Sequence, residues 1–121
     1  MDAKKLAEVR RFLEEERSRL QAEIADFERE GQDNLSEASG ENNYRDHMAD
    51  QGSATFSREL DLSLEDNVRS LLVQVDRAIK RIDEGTYGKC VRCGDDIAEA
   101  RLEAMPTAEL CISCKEWEEA R

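Results

Sequence analysis

The sequence has little that thickens a globular core and nothing that spans a bilayer. Aromatic residues make up 5% of its 121 positions, with one proline and one histidine. No apolar run approaches the roughly 18 residues a membrane span needs. The first residues, Met1 to Leu13, alternate charged and apolar side chains and lack the hydrophobic stretch of a secretory signal. A soluble, cytoplasmic protein is expected. Positive charge is also scarce: 18 Lys and Arg stand against 29 Asp and Glu, a formal net charge of −11. Phosphate neutralisation, the main source of nucleic-acid affinity, therefore has no basic segment to act from. Direct binding of DNA or RNA is not expected; a basic protein surface, or a metal near one, fits the partner better. No nucleophile pattern surrounds the single histidine, His47, and an enzyme is not expected.

What is present suits helices that bury one stripe and solvate the rest. Charged and hydrophobic residues each make up 39% of the chain. Leu6, Leu13, Leu20 and Phe27 recur every seven residues, with Val9, Phe12 and Ile24 beside them, which predicts a helix over 3–30 with a heptad-like seam. Glu16 and Glu23 fall where a second apolar row would lie, at the seam's edge or opposite arginines. A second helix is predicted over 54–84. Phe56, Leu60, Leu64, Val68, Leu71, Val75, Ile79 and Ile82 form its row, Leu72 lies beside it, and Gly85 is placed to end it. Neither helix buries its stripe alone, so an antiparallel hairpin over 1–85 is expected. At about 1.5 Å per residue its arms would run roughly 42–46 Å. The connection, 31–52, is long and acidic, and a connection of that length is usually functional or disordered. Its ends can extend the two helices into a narrower tip.

From residue 86 the character changes. The four cysteines read C-x2-C-x17-C-x2-C: Cys90, Cys93, Cys111 and Cys114. A two-residue spacer lets a tight knuckle aim two sulfurs at one ion, and two knuckles complete a tetrahedron. Gly94 follows the first knuckle, where a tight turn favours glycine. Paired disulfides would suit an exported protein, and a redox CxxC pair would need a strand–helix setting that is absent here. One structural Zn²⁺ is the better reading. Four thiolates leave no open coordination position, and metal binding should supply much of this module's folding free energy. Val91, Ile97, Leu102 and Leu110 are its expected core. A final helix from about Ile112 to Arg121 should use Trp117 to pack on the hairpin base or the zinc module.

The stretch from Tyr87 to Lys115, YGKCVRCGDDIAEARLEAMPTAELCISCK, closely resembles the C4 zinc finger of the DksA/TraR family. The run Arg101-Leu102-Glu103-Ala104, then Pro106-Thr107-Ala108 and Leu110-Cys111, extends the match beyond the cysteines. The resemblance implies a mainly α fold: a long antiparallel helical hairpin (coiled coil), a C-terminal four-cysteine zinc finger over 86–121, and a short terminal helix. It also implies a regulator that binds bacterial RNA polymerase through its secondary channel, tip first, without binding DNA.

The family's tip carries two aspartates three residues apart and an alanine two residues after the second. Counted back from Cys90, the second aspartate falls on Asp50, the first on His47 and the alanine on Gly52, with Asp46 an acid one position off. On a helix, steps of three and four share a face, so Asp46 and Asp50 could act together. Carboxylates are hard oxygen ligands that suit a catalytic magnesium. Of the family's basic contacts to guanosine tetraphosphate, Lys115 is kept, whereas Met105, Asn67 and Gln74 stand at the others. A response to that nucleotide is not expected. The alternative is a zinc-stabilised protein-interaction module of the same fold without the family's regulation, because tip and nucleotide contacts have diverged.

Overall fold

A computed structural model describes the backbone of residues 1–38 and 51–121 and the side chains of 1–31 and 57–121. The tip residues Asp46, His47 and Asp50 lie outside the described residues, and the side chain of Phe56 does too. Among the described residues four helices follow in order: α1 (Ala3–Ala38), α2 (Gln51–Glu84), α3 (Glu99–Ala104) and α4 (Ile112–Glu119). Both long helices run further into the connection than their apolar periodicity predicts. Gly31 lies inside α1 and Gly52 in the first turn of α2. Among the described residues, no helix is long and apolar enough to cross a membrane.

The chain forms two compact units, Met1–Ser18 with Val73–Arg121, and Arg19–Leu72. In the first, the Asp2 carboxylate accepts the backbone N–H of Lys5 at 2.8 Å and starts α1. Such a cap contributes about 1 kcal/mol. The helices pair antiparallel: Arg10 bonds Asp83, and Arg17 lies 3.9 Å from Asp76, seven residues up one helix and seven down the other. Leu13, Val75, Ala78 and Ile79 are buried here. In the second unit Leu20 and Ile24 are buried, and Arg69 reaches Glu28 across the pair at 3.1 Å. Each fully buried leucine stabilises the pairing by about 1.5–3 kcal/mol. Glu23 bonds Arg19 on its own helix at 2.6 Å, so it meets an arginine, though not one opposite.

The seam of α2 differs from the expected row. Val68, Leu72, Val75, Ile79 and Ile82 turn inward, while Leu60, Leu64 and Leu71 are exposed. Leu71 and Leu72 exchange the roles their spacing suggests. Both lie three or four residues from other apolar positions, and the pairing with α1 selects the Leu72 face. Phe12 is likewise exposed rather than widening the α1 stripe.

Past α2 the chain reverses at Gly85, whose φ of 77° is the left-handed conformation a helix C-terminus favours. The Arg81 guanidinium folds over this turn and donates to the carbonyls of Thr86 and Lys89. The small core beyond is Cys90, Ile97, Leu102, Ala108 and Cys114, with Tyr87, Leu110 and Cys111 against it. Val91 is not part of it. It sits between the paired cysteines with its side chain outward, while its backbone N–H bonds the Glu109 carbonyl at 2.9 Å. The short α3 has too few residues for a periodic signal and is legible only in the structure.

Candidate metal centre

Two backbone turns present the sulfurs. At the first, the Gly94 N–H bonds the Cys90 carbonyl at 2.9 Å, and Gly94 takes a φ of 80° that a side chain rarely adopts. At the second, Cys111 caps α4 and the Lys115 N–H bonds its carbonyl at 2.9 Å. Cys90 N–H to Asp95 O at 2.8 Å and Ile97 N–H to Gly88 O at 2.7 Å close the first turn, and Val91 N–H to Glu109 O at 2.9 Å joins it to the segment that leads into the second. From outside the cysteines, the Tyr87 hydroxyl donates to the Pro106 carbonyl at 2.7 Å, and Arg101 donates to the Leu110 carbonyl at 2.9 Å. These two bonds hold the long segment between the knuckles. Lys5 of α1 reaches Glu99 of α3 at 3.1 Å.

The result is that all four Sγ atoms lie within 4.8 Å of one another. A Zn–S distance of about 2.3 Å requires sulfurs roughly 3.8 Å apart in a regular tetrahedron. The Cys93 and Cys111 sulfurs are 3.8 Å apart. Cys90 and Cys114 are buried, Cys111 is half-buried and Cys93 exposed.

The electrostatics point the same way. Burial opposes a thiolate at Cys90, but backbone hydrogen bonds from Cys93, Cys111 and Arg92, with the Cys114 thiol, bring its pKa down to about 6. Cys93 moves oppositely. A backbone hydrogen bond from Asp95 favours its thiolate, yet burial and the three neighbouring thiols push it up to about 12. Arg92 favours the thiolate at Cys114, and burial with Cys111 and Cys90 still raises it. One thiolate is thus easily held, and the next are resisted by those already formed. Four thiolates coexist at this spacing only around a cation, and the soft donor set fits one structural Zn²⁺. The site is closed, so it offers no position for water or substrate.

Of the other sequence-predicted residues, Lys115 lies on α4, 4.0 Å from Glu119 of its own helix. Met105 is exposed. Trp117 packs on the zinc module, one of the two expected places: it is 44% exposed and carries the Arg92 guanidinium 3.6 Å from its ring centroid. Arg92 also donates to Cys114 Sγ at 3.5 Å. Sequence reasoning missed this residue. The available signal was a cation inside the first CxxC, paired with an aromatic three residues past the last cysteine.

Comparison with known proteins agrees with this geometry. Residues 85–120 match the prokaryotic dksA/traR C4-type zinc finger. The chain is 34% identical over 111 residues to the RNA polymerase-binding transcription factor DksA of Caulobacter vibrioides, covering 92% of this chain and 78% of the relative. To the protein of the same name from Escherichia coli K12 it is 33% identical over 121 residues, covering 100% and 76%. The structure of transcription factor DksA2 from Pseudomonas aeruginosa superimposes with a TM-score of 0.80 at 36% identity, covering 100% of this chain and 88% of that one. With a similar fold along its whole length and the family's four cysteines gathered at one point, the chain belongs to the DksA/TraR family of C4 zinc-finger proteins.

Proposed function

We propose that this protein is a non-enzymatic regulator of transcription that binds bacterial RNA polymerase. The observation that carries the reading is full-length similarity, at about one residue in three, to relatives named for that binding. The acidic composition supports it, since a net charge of −11 disfavours DNA as the direct ligand. In this reading Cys90, Cys93, Cys111 and Cys114 hold one Zn²⁺ that stabilises the module over 86–121. The tip, with Asp50 and Asp46, enters the secondary channel toward the catalytic magnesium, where carboxylates are suitable oxygen donors. The protein acts in the cytoplasm, where polymerase is.

The nucleotide arm of the family's regulation is weak here. Lys115 is the one retained cation of the family's nucleotide contacts, and it already faces Glu119. A phosphate-rich ligand calls for several charge-assisted bonds. Guanosine tetraphosphate should therefore change the complex little, and a calorimetric titration showing tight binding that depends on Lys115 would refute this.

Co-purification with polymerase, lost on Asp50→Asn or on deletion of the tip, tests the main reading. Crosslinks from position 50 into the channel interior would support it. A second reading is favoured by the tip itself, where His47 and Gly52 stand at the family's aspartate and alanine positions. There the same fold serves as an interaction module without the family's regulation. Polymerase binding that is indifferent to position 50, with crosslinks only to the exterior, would select it.

A further inference from the structure

We infer that Arg92 is the positioning residue of the metal centre, holding the Cys114 sulfur and the last helix against the first knuckle. Arg92 lies between Cys90 and Cys93. Its guanidinium donates to Cys114 Sγ at 3.5 Å and lies over the Trp117 ring at 3.6 Å from the centroid. Trp117 follows Cys114 by three residues on α4, so ring and sulfur share one helix face. One planar side chain thereby grips both a ligand of the second knuckle and the residue that reports the orientation of its helix. Arg121 approaches the same ring at 4.9 Å.

The chemistry favours arginine here. A tetrathiolate zinc centre carries a formal charge of −2 and accepts hydrogen bonds at its sulfurs. A guanidinium offers in-plane N–H donors while its flat face stacks on an indole. Lysine could supply charge and a donor but not the stack. A partner that donates to a ligand tunes its basicity and fixes its direction, and losing such a partner typically costs 10–100-fold in metal affinity. Because the contact is made to sulfur, removing it also alters the thiolate electronically, which loss of packing alone does not.

The test uses the full-length chain loaded with Zn²⁺, and separately with Co²⁺. Zinc transfer to excess chelator is followed with a colorimetric indicator, and the sulfur-to-cobalt charge-transfer band is recorded. Arg92→Ala should release zinc roughly 10–100-fold faster and move the band to longer wavelength, since an unbonded thiolate is the stronger electron donor. Arg92→Lys, which keeps a donor, should hold the band near its parent position with intermediate release. Arg121→Ala should leave both readouts unchanged, because Arg121 meets the ring and not the sulfur. Helical circular dichroism confirms that each variant is folded, and Arg92→Lys keeps the proposal testable if Arg92→Ala is not. Release within twofold of the parent for Arg92→Ala overturns the inference. Faster release with an unmoved band overturns it too, because that is the signature of lost packing alone.

Discussion

The hydroxyl of Tyr87 donates a 2.7 Å hydrogen bond to the carbonyl of Pro106, 19 residues further along the chain. It ties the start of the zinc module to the single proline, in the segment between the two knuckles, and the ring packs against the small cysteine core. Tyr87→Phe removes the donor and leaves a half-buried carbonyl unpaired. A net loss of about 1 kcal/mol is expected from chemical denaturation of the zinc-loaded protein. Burial raises the Tyr87 pKa above its ordinary 10.0, with Arg81 opposing. A raised pKa favours the neutral phenol in the fold, so this contribution is complete below pH 10 and is lost as pH rises through the folded value. Ultraviolet difference titration of the parent should show one tyrosine ionising above the other, and Tyr87→Phe should abolish that late step.

Replacing Leu72 by alanine should destabilise the helical pair far more than replacing its neighbour Leu71. Leu72 is half-buried, whereas Leu71 is 47% exposed. A large-to-small change at a buried leucine costs about 2–5 kcal/mol, and Leu72 should fall near the lower end. An exposed leucine costs about 0.5 kcal/mol or less. Thermal unfolding followed by helical circular dichroism measures both. Equal losses would mean that the seam follows the Leu71 row.

The contrast marks what one sequence reveals about this fold. The heptad recurrence of Leu6, Leu13 and Leu20 identifies α1 because these leucines form one stripe with no equally strong competitor, Phe12 alone lying off it. In α2, Leu60, Leu64, Val68, Leu71, Leu72 and Val75 supply two overlapping stripes, and only the partner helix decides between them. The ends of the connection continue both helices, as its length allowed, but how far they continue is not written in apolar periodicity, which stops short of both ends. The four-cysteine cluster was legible from spacing, since knuckle geometry is local. Val91 and Arg92 were not. Whether a residue between two ligands points into the core or across to another helix depends on contacts with residues around twenty positions away.

Gly94→Ala probes the first knuckle at its tightest point. Gly94 has a φ of 80°, and nothing lies within 4 Å of an added Cβ, so any penalty comes from backbone strain and not from a clash. Holding alanine in the left-handed region costs roughly 1–2 kcal/mol. The zinc-loaded module should lose about that much stability. Zinc affinity should fall with it by about tenfold, since each 1.4 kcal/mol is a factor of ten. Competition against a chelator of known affinity measures the second quantity. Unchanged affinity would mean that the knuckle relaxes without cost.

Removal of the metal should unfold the cysteine module while leaving most of the helical pair intact. The module's core consists of Cys90, Ile97, Leu102, Ala108 and Cys114, and two of those five are metal ligands. So small a core does not offset the conformational entropy of the residues it orders. The long helices are held instead by Leu13, Leu20, Ile24, Val75 and Ile79, none of which is a metal ligand or a member of the cysteine core. Excess chelator, or Cys90→Ser, should therefore erase the near-ultraviolet circular dichroism of Trp117, which lies beside Cys114 through Arg92. The far-ultraviolet helical signal should fall by only a minor fraction. Acid should act like chelator, because protons compete with zinc for the thiolates and metal binding releases protons. A Trp117 spectrum that persists after metal removal is verified by elemental analysis would show that the module folds on its apolar residues alone.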